Sequence, residues 1–329
     1  MKKISFSHGY DYIISLENLL QAWQEFIKGK RGRKDTQEFE LDLMANIITL
    51  NDELVNFIYQ HSGYQAFNIS DPKPRNIHKA SVRDRLLHHA IYRQLYPFFD
   101  KTFIVDSFSC RNNKGTHKAI NRFRSMAYQV SKNNTKTVWV LKCDIKKFFA
   151  NIDHNILKNI LVSYIPDQQI IWLLNRVIDS FETMPDKGLP LGNLTSQLLV
   201  NIYMNEFDQF VKHQLKQKYY IRYADDFVFL SENKESLINI IKLIKDFLGQ
   251  KLQLQIHPNK ISLTTLASGV DYLGYVNFPH HRVLRTKTKR RMLRLVNNKN
   301  LPSYLGVLKH ANCYGLEQEA LNRAGLSNY

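Results

Sequence analysis

Residues 221–230 read Ile-Arg-Tyr-Ala-Asp-Asp-Phe-Val-Phe-Leu, so two adjacent carboxylates, Asp225 and Asp226, interrupt an otherwise strand-forming run. Asp is depleted in strands, and burying a carboxylate is costly unless something compensates its charge. The flanking runs predict a β-hairpin with the acidic pair at its turn. Hard cations such as Mg²⁺ take oxygen ligands from one or two carboxylates together with substrate phosphates. The pair therefore indicates a metal site and a candidate phosphoryl-transfer centre.

The chain has a strong basic excess: its 329 residues include 46 Lys and Arg against 29 Asp and Glu, a net charge of +17. Such an excess says more about partners than about fold, with nucleic acid the first candidate and an anionic membrane surface the second. Two clusters, residues 28–34 and 285–294, concentrate the positive charge. Phosphate contact is favoured for both clusters, and a solvated surface is the alternative.

Hydrophobic residues make up 44% of the chain, which is ordinary for a globular protein with a buried core. Because no run of about 18 apolar residues is present, no membrane span is expected. The N-terminal residues lack the apolar core of a signal peptide. Cys110, Cys143 and Cys313 stand singly and predict no disulfide framework. A reducing, cytoplasmic setting is therefore expected.

Hydrophobic periodicity predicts a mixture of helices and strands without a regular βαβ rhythm, which is typical of the α+β class. Helices are predicted at 12–60 (the second part from Phe39 to Ile58), 81–99, 116–130, 155–181, 194–216 and 234–248, with broken helices over 287–329. Strands are predicted at 138–143, in the hairpin 219–230, and at 253–256 and 271–278. Residues 71–75, Asp-Pro-Lys-Pro-Arg, predict a turn or extended link.

A second carboxylate, Asp144, follows the predicted apolar strand 138–143. A two-metal site needs ligands from separate strands that meet in space, so Asp144 is a candidate partner for Asp225. The alternative is that Asp144 caps a helix and the acidic pair is only a polar hairpin turn.

Six segments in order then resemble the motifs of reverse transcriptases over roughly residues 70–310. The hairpin tetrapeptide Tyr223–Asp226 resembles their catalytic hairpin, and residues 144–153 resemble their first catalytic motif. The other four segments are 107–117, 187–197, 257–260 and 270–275. The resemblance implies a right-hand polymerase fold with fingers, palm and a short helical thumb. The implied segments are 1–140 (N-terminal helices and fingers), 141–154 (palm), 155–186 (fingers/palm insertion), 187–278 (palm) and 279–329 (helical thumb).

A finer resemblance lies in residues 191–197, Leu-Gly-Asn-Leu-Thr-Ser-Gln, where Ser196-Gln197 replaces the Ser-Pro usual in group II intron enzymes. The pair is similar to that of reverse transcriptases from diversity-generating retroelements, as are the chain length and residues 303–312. That resemblance implies adenine-mutagenic cDNA synthesis in mutagenic retrohoming. It also implies a small basic helical accessory variability protein that oligomerises. The acidic residues Glu38, Glu40 and Asp42 are candidates for its binding surface.

The resemblance also implies roles for single residues. Two Mg²⁺ ions, with Mn²⁺ as a substitute, would be held by the ligand set Asp144, Ile145, Asp225 and Asp226. Asp226 is the weaker ligand of the set, with a structural role in the hairpin as its alternative. Lys260 is a candidate general acid for the leaving pyrophosphate, with a surface lysine as the alternative.

The implied substrate contacts are spread along the chain. Arg111 and Arg75 would clamp the triphosphate, with Lys73 and Lys114 weaker candidates. Phe149 would act as a steric gate that selects deoxynucleotides, and core packing is its alternative. The backbone at Gly192 and the side chain of Gln197 would face the new base pair. The paired histidines His88, His89, His280 and His281 are expected at the surface or against RNA.

The function indicated is RNA-directed DNA synthesis, with template RNA, the cDNA or primer and deoxynucleoside triphosphates as partners. Another bacterial group II-like reverse transcriptase, serving intron mobility or phage defence, is one alternative. The other is a non-catalytic RNA-binding protein on the same scaffold, which three costly carboxylates disfavour.

Overall fold

A computed structural model describes residues 4–70 and 74–325. The candidate Lys73 lies outside these ranges, as do the last four residues of the predicted thumb. The chain divides into two compact units. The first, here called the helical unit, comprises residues 1–104, 145–210 and 246–255; the second, the sheet unit, comprises 105–144, 211–245 and 256–329. The predicted division into fingers, palm and thumb stays a prediction.

The helical unit is built mainly from helices that begin at polar caps. The side chains of Ser15, Ser81, Asp153 and Asp167 each accept a backbone N–H in the first turn that follows them. Its helices are α1 (Tyr10–Ile14), α2 (Leu16–Phe26), α3 (Lys34–Leu41), α4 (Leu43–Val55), α5 (Val82–Thr102), α7 (His154–Val162), α8 (Gln168–Ile178) and α9 (Leu194–Gln209). The predicted helix 194–216 therefore ends early as an α-helix, and residues 210–214 continue as a π-helix.

A two-stranded hairpin in the helical unit was not predicted from the sequence. Strands β1 (Gln65–Ile69) and β2 (Arg75–Lys79) pair antiparallel, with Ile69 opposite Arg75. Their polar, mostly exposed residues lack the alternation of a half-buried strand, which is why periodicity passes over them. The backbone N–H of His78 donates to the Leu191 carbonyl at 3.1 Å, which fixes β2 against the loop before α9.

The sheet unit contains a four-stranded antiparallel sheet in the order β4-β5-β3-β6. Its strands are β3 (Trp139–Asp144), β4 (Tyr220–Tyr223), β5 (Asp226–Ser231) and β6 (Ser262–Thr265). The hairpin β4–β5 and strand β3 confirm the predictions. The strand predicted at 253–256 is wrong, because these residues follow helix α10 (Lys234–Leu252) and the sheet takes β6 instead.

One face of this sheet is covered by helix α6 (Thr116–Val130). The apolar side of α6, including Ile120, Phe123 and Ala127, belongs to the same buried cluster as Val140 and Val228 of the sheet. A three-stranded sheet, β7 (Val270–Tyr272), β8 (Tyr275–Asn277) and β9 (Arg282–Leu284), joins this cluster, as do α11 (Thr286–Leu295), α12 (Leu301–Leu308) and α13 (Tyr314–Arg323). Within residues 4–70 and 74–325, no helix is both long and apolar enough to cross a membrane.

Candidate active site

The turn between β4 and β5 presents the acidic pair. Tyr223 pairs with Asp226, so the loop is only Ala224 and Asp225. Ala224 has φ +55°, a left-handed conformation that costs a residue with a Cβ about 1 kcal/mol or more. The turn is held from inside by Arg222, whose side chain is fully buried and donates to the Ala224 carbonyl at 3.1 Å. The sequence therefore places Asp225 at a strained, buttressed turn.

Three carboxylates gather at this end of the sheet. Asp144, the last residue of β3, lies directly opposite Asp226 in the antiparallel register. Burial raises the pKa of Asp225 to about 6, and the charges of Asp226 and Asp144 add to the effect. Burial also raises the pKa of Asp226, with Lys142 opposing and Asp144 contributing. The cluster thus carries more negative charge than its surroundings neutralise.

Lys260 is a cation that partly compensates this negative charge. Its Nζ donates to Asp144 Oδ1 at 2.7 Å from the 3₁₀ turn Pro258–Lys260. The turn is anchored to the same strand, because the His257 N–H donates to the Asp144 carbonyl at 2.7 Å. Partial burial disfavours the charged ammonium, yet the three carboxylates raise the Lys260 pKa overall. The structure therefore places the predicted general acid beside the predicted metal ligands.

The donor set suits a hard divalent cation, because three carboxylates gather beside the ammonium of Lys260, while Lys142 opposes the charge of Asp226 only. Across residues 4–70 and 74–325, however, no three His, Cys, Asp or Glu side chains converge closely enough to hold one metal ion. Asp144 instead uses one oxygen for Lys260. The aspartates are therefore close neighbours with the chemistry of a metal site, without the geometry of a formed coordination shell. The remaining predicted ligand, Ile145, is buried.

Arg111 lies in the sheet unit as well, in the loop before α6. It is half-buried, and its guanidinium donates to the Ser107 carbonyl at 3.0 Å. Ser107 Oγ in turn accepts from Arg222 at 3.1 Å, which links the Arg111 loop to the β4–β5 hairpin. The weaker candidate Lys114 is directed to the Val105 carbonyl at 2.7 Å.

The other predicted substrate residues lie in the helical unit. Gly192 and Gln197 line one cavity of about 410 Å³, together with basic, aromatic and aliphatic side chains. Arg75 is exposed at the start of β2. Phe149 begins a 3₁₀ turn, where its ring packs edge-on against Phe148 and its carbonyl accepts from the Leu189 N–H at 2.8 Å. The structure thus brings Gly192 and Gln197 together and leaves Arg75 and Phe149 outside that cavity lining.

Gly188 and Gly192, in the loop before α9, are required by contacts with different residues. At Gly188 (φ +113°), a Cβ would meet Thr183 atoms at 2.6 to 3.0 Å. At Gly192 (φ +107°), a Cβ would meet Ile77 Cγ2 at 3.0 Å. Both positions require glycine for internal packing. At Gly192 this adds a structural role to the close approach to the new base pair expected from the sequence.

Two residues at these sites were missed from the sequence, and one prediction was wrong. Arg222 could have been noticed, because a charged residue between Ile221 and Tyr223 breaks an apolar strand. His78 gave no such signal, since its role comes from the backbone of an unpredicted strand. The prediction that His88 lies at the surface is wrong, because its side chain is only 1% exposed. His280 and His281 are exposed, as expected.

The matched sequence family agrees with this geometry. A profile described as "Reverse transcriptase (RNA-dependent DNA polymerase)" matches residues 70–277, more than half of the chain. The chain belongs to this family. It is therefore an RNA-directed DNA polymerase with a right-hand polymerase fold of the α+β class.

Similar proteins are distant in sequence. Protein YkfC of Escherichia coli (strain K12) is 24% identical over 296 residues, covering 78% of this chain and 75% of that protein. The group II intron-encoded protein LtrA of Lactococcus lactis subsp. cremoris is 23% identical over 274 residues, covering 62% of this chain and 44% of LtrA. Among solved structures, apo telomerase from Candida tropicalis, truncated from its C-terminal domain, has a TM-score of 0.50 at 14% identity, covering 74% of this chain and 60% of that one. The telomerase likeness shows the fold alone.

Proposed function

We propose that this chain copies template RNA into cDNA by nucleotidyl transfer at the Asp144, Asp225 and Asp226 cluster. The observation that carries the proposal is the gathering of these carboxylates at one end of the sheet, beside the strained β4–β5 turn, with raised pKa at Asp225 and Asp226. Two Mg²⁺ ions, or Mn²⁺ in substitution, would be held by the three aspartates and would stabilise the attacking and leaving oxygens. Lys260, already charged beside Asp144, would hold the proton that the pyrophosphate takes as it leaves.

The remaining residues would bind and select the nucleotide. The guanidinium groups of Arg111 and Arg75 would pair with triphosphate oxygens, because their planar donors match phosphate geometry. The Phe149 ring would exclude a ribose 2′-hydroxyl and so favour deoxynucleotides. The basic excess of the chain supports an RNA template as the partner.

The test is DNA synthesis on a poly(A) template with an oligo(dT) primer and Mg²⁺, compared between Asp225→Asn and the surface control Glu232→Gln. Asp225→Asn should lose synthesis by at least about 10³-fold, because one carboxylate of the charge-stabilising set is gone. RNA binding by both variants, and synthesis by Glu232→Gln, should match the unchanged protein. Full synthesis by Asp225→Asn would overturn the proposal.

The finer part of the proposal is error-prone synthesis opposite template adenines, as in a diversity-generating retroelement. It is supported by Gln197, which lies in the first turns of α9 and lines the cavity with Gly192, while its N–H donates to the Asn193 carbonyl at 3.3 Å. An amide side chain there would leave the new base pair less tightly confined than a proline ring.

Sequencing cDNA made by Gln197→Pro tests this finer part, with Gln197→Ala as the variant that keeps the backbone N–H. Both should lower misincorporation at template adenines by severalfold and leave errors at the other three bases unchanged. If adenine errors persist in both variants, Gln197 has no part in fidelity, while the polymerase assignment stands.

The accessory protein would bind the acidic residues Glu38, Glu40 and Asp42. The structure adds an apolar component beside them, because Leu41 is 83% exposed and Met44 of α4 is 51% exposed. A basic helical partner with an apolar stripe would suit such a surface. Charge reversal to Lys at the three acidic positions should abolish co-purification with the partner. A complex that survives it would remove this surface from consideration.

The intron-encoded relatives favour a second candidate, which is intron mobility. The chain spans less than half of LtrA, so the activities of that whole protein are only a guide here. This candidate would be favoured if the purified chain promoted the splicing or the DNA insertion of a group II intron. A cytoplasmic location stays a prediction from the sequence.

A further inference from the structure

Helix α6 carries a polar stripe on the side away from the sheet. Its apolar positions enter the buried cluster, while four residues at helical spacing remain exposed on the opposite side. These four residues are His117, Asn121, Arg124 and Tyr128. The side chain of Tyr128 is 49% exposed, so its ring is open to a partner from solution.

A buried arginine underlies this stripe. Arg282 of β9 is only 5% exposed, and both of its terminal guanidinium nitrogens donate to Asn121 Oδ1 at 3.3 Å. Its Nε is buried without a hydrogen-bond partner. Burial lowers the Arg282 pKa, and the neighbouring positive charge of Arg124 lowers it further. Within the described ranges 4–70 and 74–325, neither arginine forms an ion pair with a carboxylate.

Segments from two other parts of the sheet unit complete the surface. The ring of His310, after α12, stacks on His117 at a centroid distance of 3.7 Å. Asn312 donates its N–H to the Arg282 carbonyl at 2.7 Å, so the connection from α12 to α13 holds β9 in place. His280 lines, with Asn121, Arg124 and Tyr128, a cavity of about 470 Å³. The segment 303–312, singled out in the sequence, therefore supports this cluster of positive and polar groups.

We infer that this surface binds the phosphates of single-stranded RNA at a site separate from the catalytic carboxylates. Among the described residues, the exposed Arg124 has no carboxylate partner and offers planar donors that match phosphate oxygens. The buried Arg282 beneath it adds positive charge to the surface. Tyr128 offers a ring on which a base stacks, and basic grooves with exposed aromatic rings are typical of single-strand binding. An acidic protein would satisfy the charge but would leave Tyr128 without a stacking partner. The inference goes beyond the proposed polymerase activity, because the site needs no metal ion and no nucleotide.

The experiment measures binding of a fluorescent oligouridylate of about 20 nucleotides, long enough to span such a site, to the full chain in EDTA at several salt concentrations. Arg124→Gln should weaken binding roughly tenfold, since it removes a charged phosphate contact. It should also reduce the slope of log affinity against log salt by about 0.7. Lys242→Gln, which removes one exposed charge from α10, is the matched control and should change neither value as much.

Two further variants separate RNA binding from misfolding. Asn121→Asp places a carboxylate against the Arg282 guanidinium, so RNA affinity should fall roughly tenfold while the melting temperature holds or rises. Tyr128→Ala should weaken binding roughly fivefold or more, because one stacked base is lost.

The inference is overturned if Arg124→Gln and Lys242→Gln weaken binding equally, because net charge alone would then explain the affinity. It is also overturned if a polyglutamate of equal charge displaces the RNA as well as unlabelled oligouridylate does. That outcome would mark a general polyanion surface. In either case, the protein with Asp225 unchanged would still synthesise DNA. Failure of the RNA-binding inference is therefore distinguishable from failure of the polymerase proposal.

Discussion

Asp84 in the helical unit and Asp225 in the sheet unit differ in how far their surroundings compensate their negative charge. Asp84, in the first turn of α5, is fully buried. It accepts hydrogen bonds from Tyr59 Oη at 2.9 Å, the Ser62 N–H at 3.1 Å and Ser81 Oγ at 2.7 Å. Burial disfavours its charge, yet His61 and these donors lower the Asp84 pKa overall. The negative charge of Asp84 is therefore compensated by groups within the protein.

Asp225 has the reverse environment. Its nearest charged neighbours are carboxylates, and burial together with their charge raises its pKa to about 6. The ammonium of Lys260, which lowers the Asp225 pKa, donates to Asp144 and not to Asp225. A carboxylate that the fold leaves uncompensated at a turn is a candidate for binding something from outside. Burial alone therefore does not separate the two aspartates; what separates them is whether cations and hydrogen-bond donors inside the protein compensate the negative charge.

Asp84→Asn should produce the largest effect, a loss of about 3 kcal/mol in the free energy of unfolding, measured by urea titration. The amide can accept from only one side, so donors from Tyr59, Ser62 or Ser81 would be left facing another donor. Asp52→Asn, at an exposed position of α4, is the matched control and should change stability by less than about 0.5 kcal/mol. Equal effects of the two substitutions would mean that Asp84 is not an anchor.

The helical unit should also lose stability in acid through His88. Burial lowers the His88 pKa to about 3, with His61 opposing its charge as well. Since the unfolded chain takes up a proton below about pH 6.5 and the folded site does not, stability is full above that pH and is lost as pH falls. The expected loss between pH 7 and pH 5 is about 2 kcal/mol for this one group. His88→Leu should remove that part of the acid sensitivity.

A parallel pH slope in His88→Leu and the unchanged protein would contradict this prediction. The histidine next in sequence gives an internal comparison. Burial also lowers the His89 pKa, to about 4, with Lys30 and Arg85 contributing. Acid sensitivity that remains in His88→Leu should therefore be reduced by the second substitution His89→Leu.

At the β4–β5 turn, the same kind of substitution should change the free energy of unfolding with the opposite sign. Asp225→Asn removes one of three neighbouring carboxylates, so the free energy of unfolding in EDTA should rise by about 1 kcal/mol while DNA synthesis is lost. Thermal and urea unfolding in the absence of metal measure it. A destabilised Asp225→Asn would place Asp225 with Asp84 among the structural carboxylates and would end the contrast between the two sites.

The sequence predicted the carboxylate cluster because its signals are local. Asp144, Asp225 and Asp226 each follow or interrupt an apolar strand, and strand pairing brings such positions together. Helix α6 was predicted with the bounds that the structure has, since its apolar periodicity is regular. Strands β1, β2, β6 and β9 were not predicted, because they are short and their residues are held by partners distant in sequence.

The environment of each charge could not be read from the sequence in the same way. Arg222 acts through a carbonyl at the turn, and Asp84 acts through donors from three separate positions. His88 stands in a polar-looking pair with His89, yet it lies in the core. Such roles depend on which distant segment packs against the residue, and periodicity along one segment carries no information about that partner.

Ala224→Gly should give the smallest effect on the free energy of unfolding. Ala224 holds φ +55° beside Asp225, and glycine adopts this conformation without a Cβ clash. The free energy of unfolding should therefore rise by about 0.5 kcal/mol, the relief of strain being partly offset by the freer unfolded chain. Ala267→Gly, at an exposed position of the sheet unit without a left-handed backbone, is the matched control and should lose about 0.5–1 kcal/mol.

The same variant reports whether the strain serves the site. A looser turn would hold Asp225 less firmly, so the rate of DNA synthesis should fall by about threefold while RNA binding is unchanged. If Ala224→Gly gains stability and keeps the full rate, the strained turn is incidental and Arg222 alone suffices to position Asp225. If it loses stability as Ala267→Gly does, the turn is not strained, and the contrast between the two acidic sites rests on charge alone.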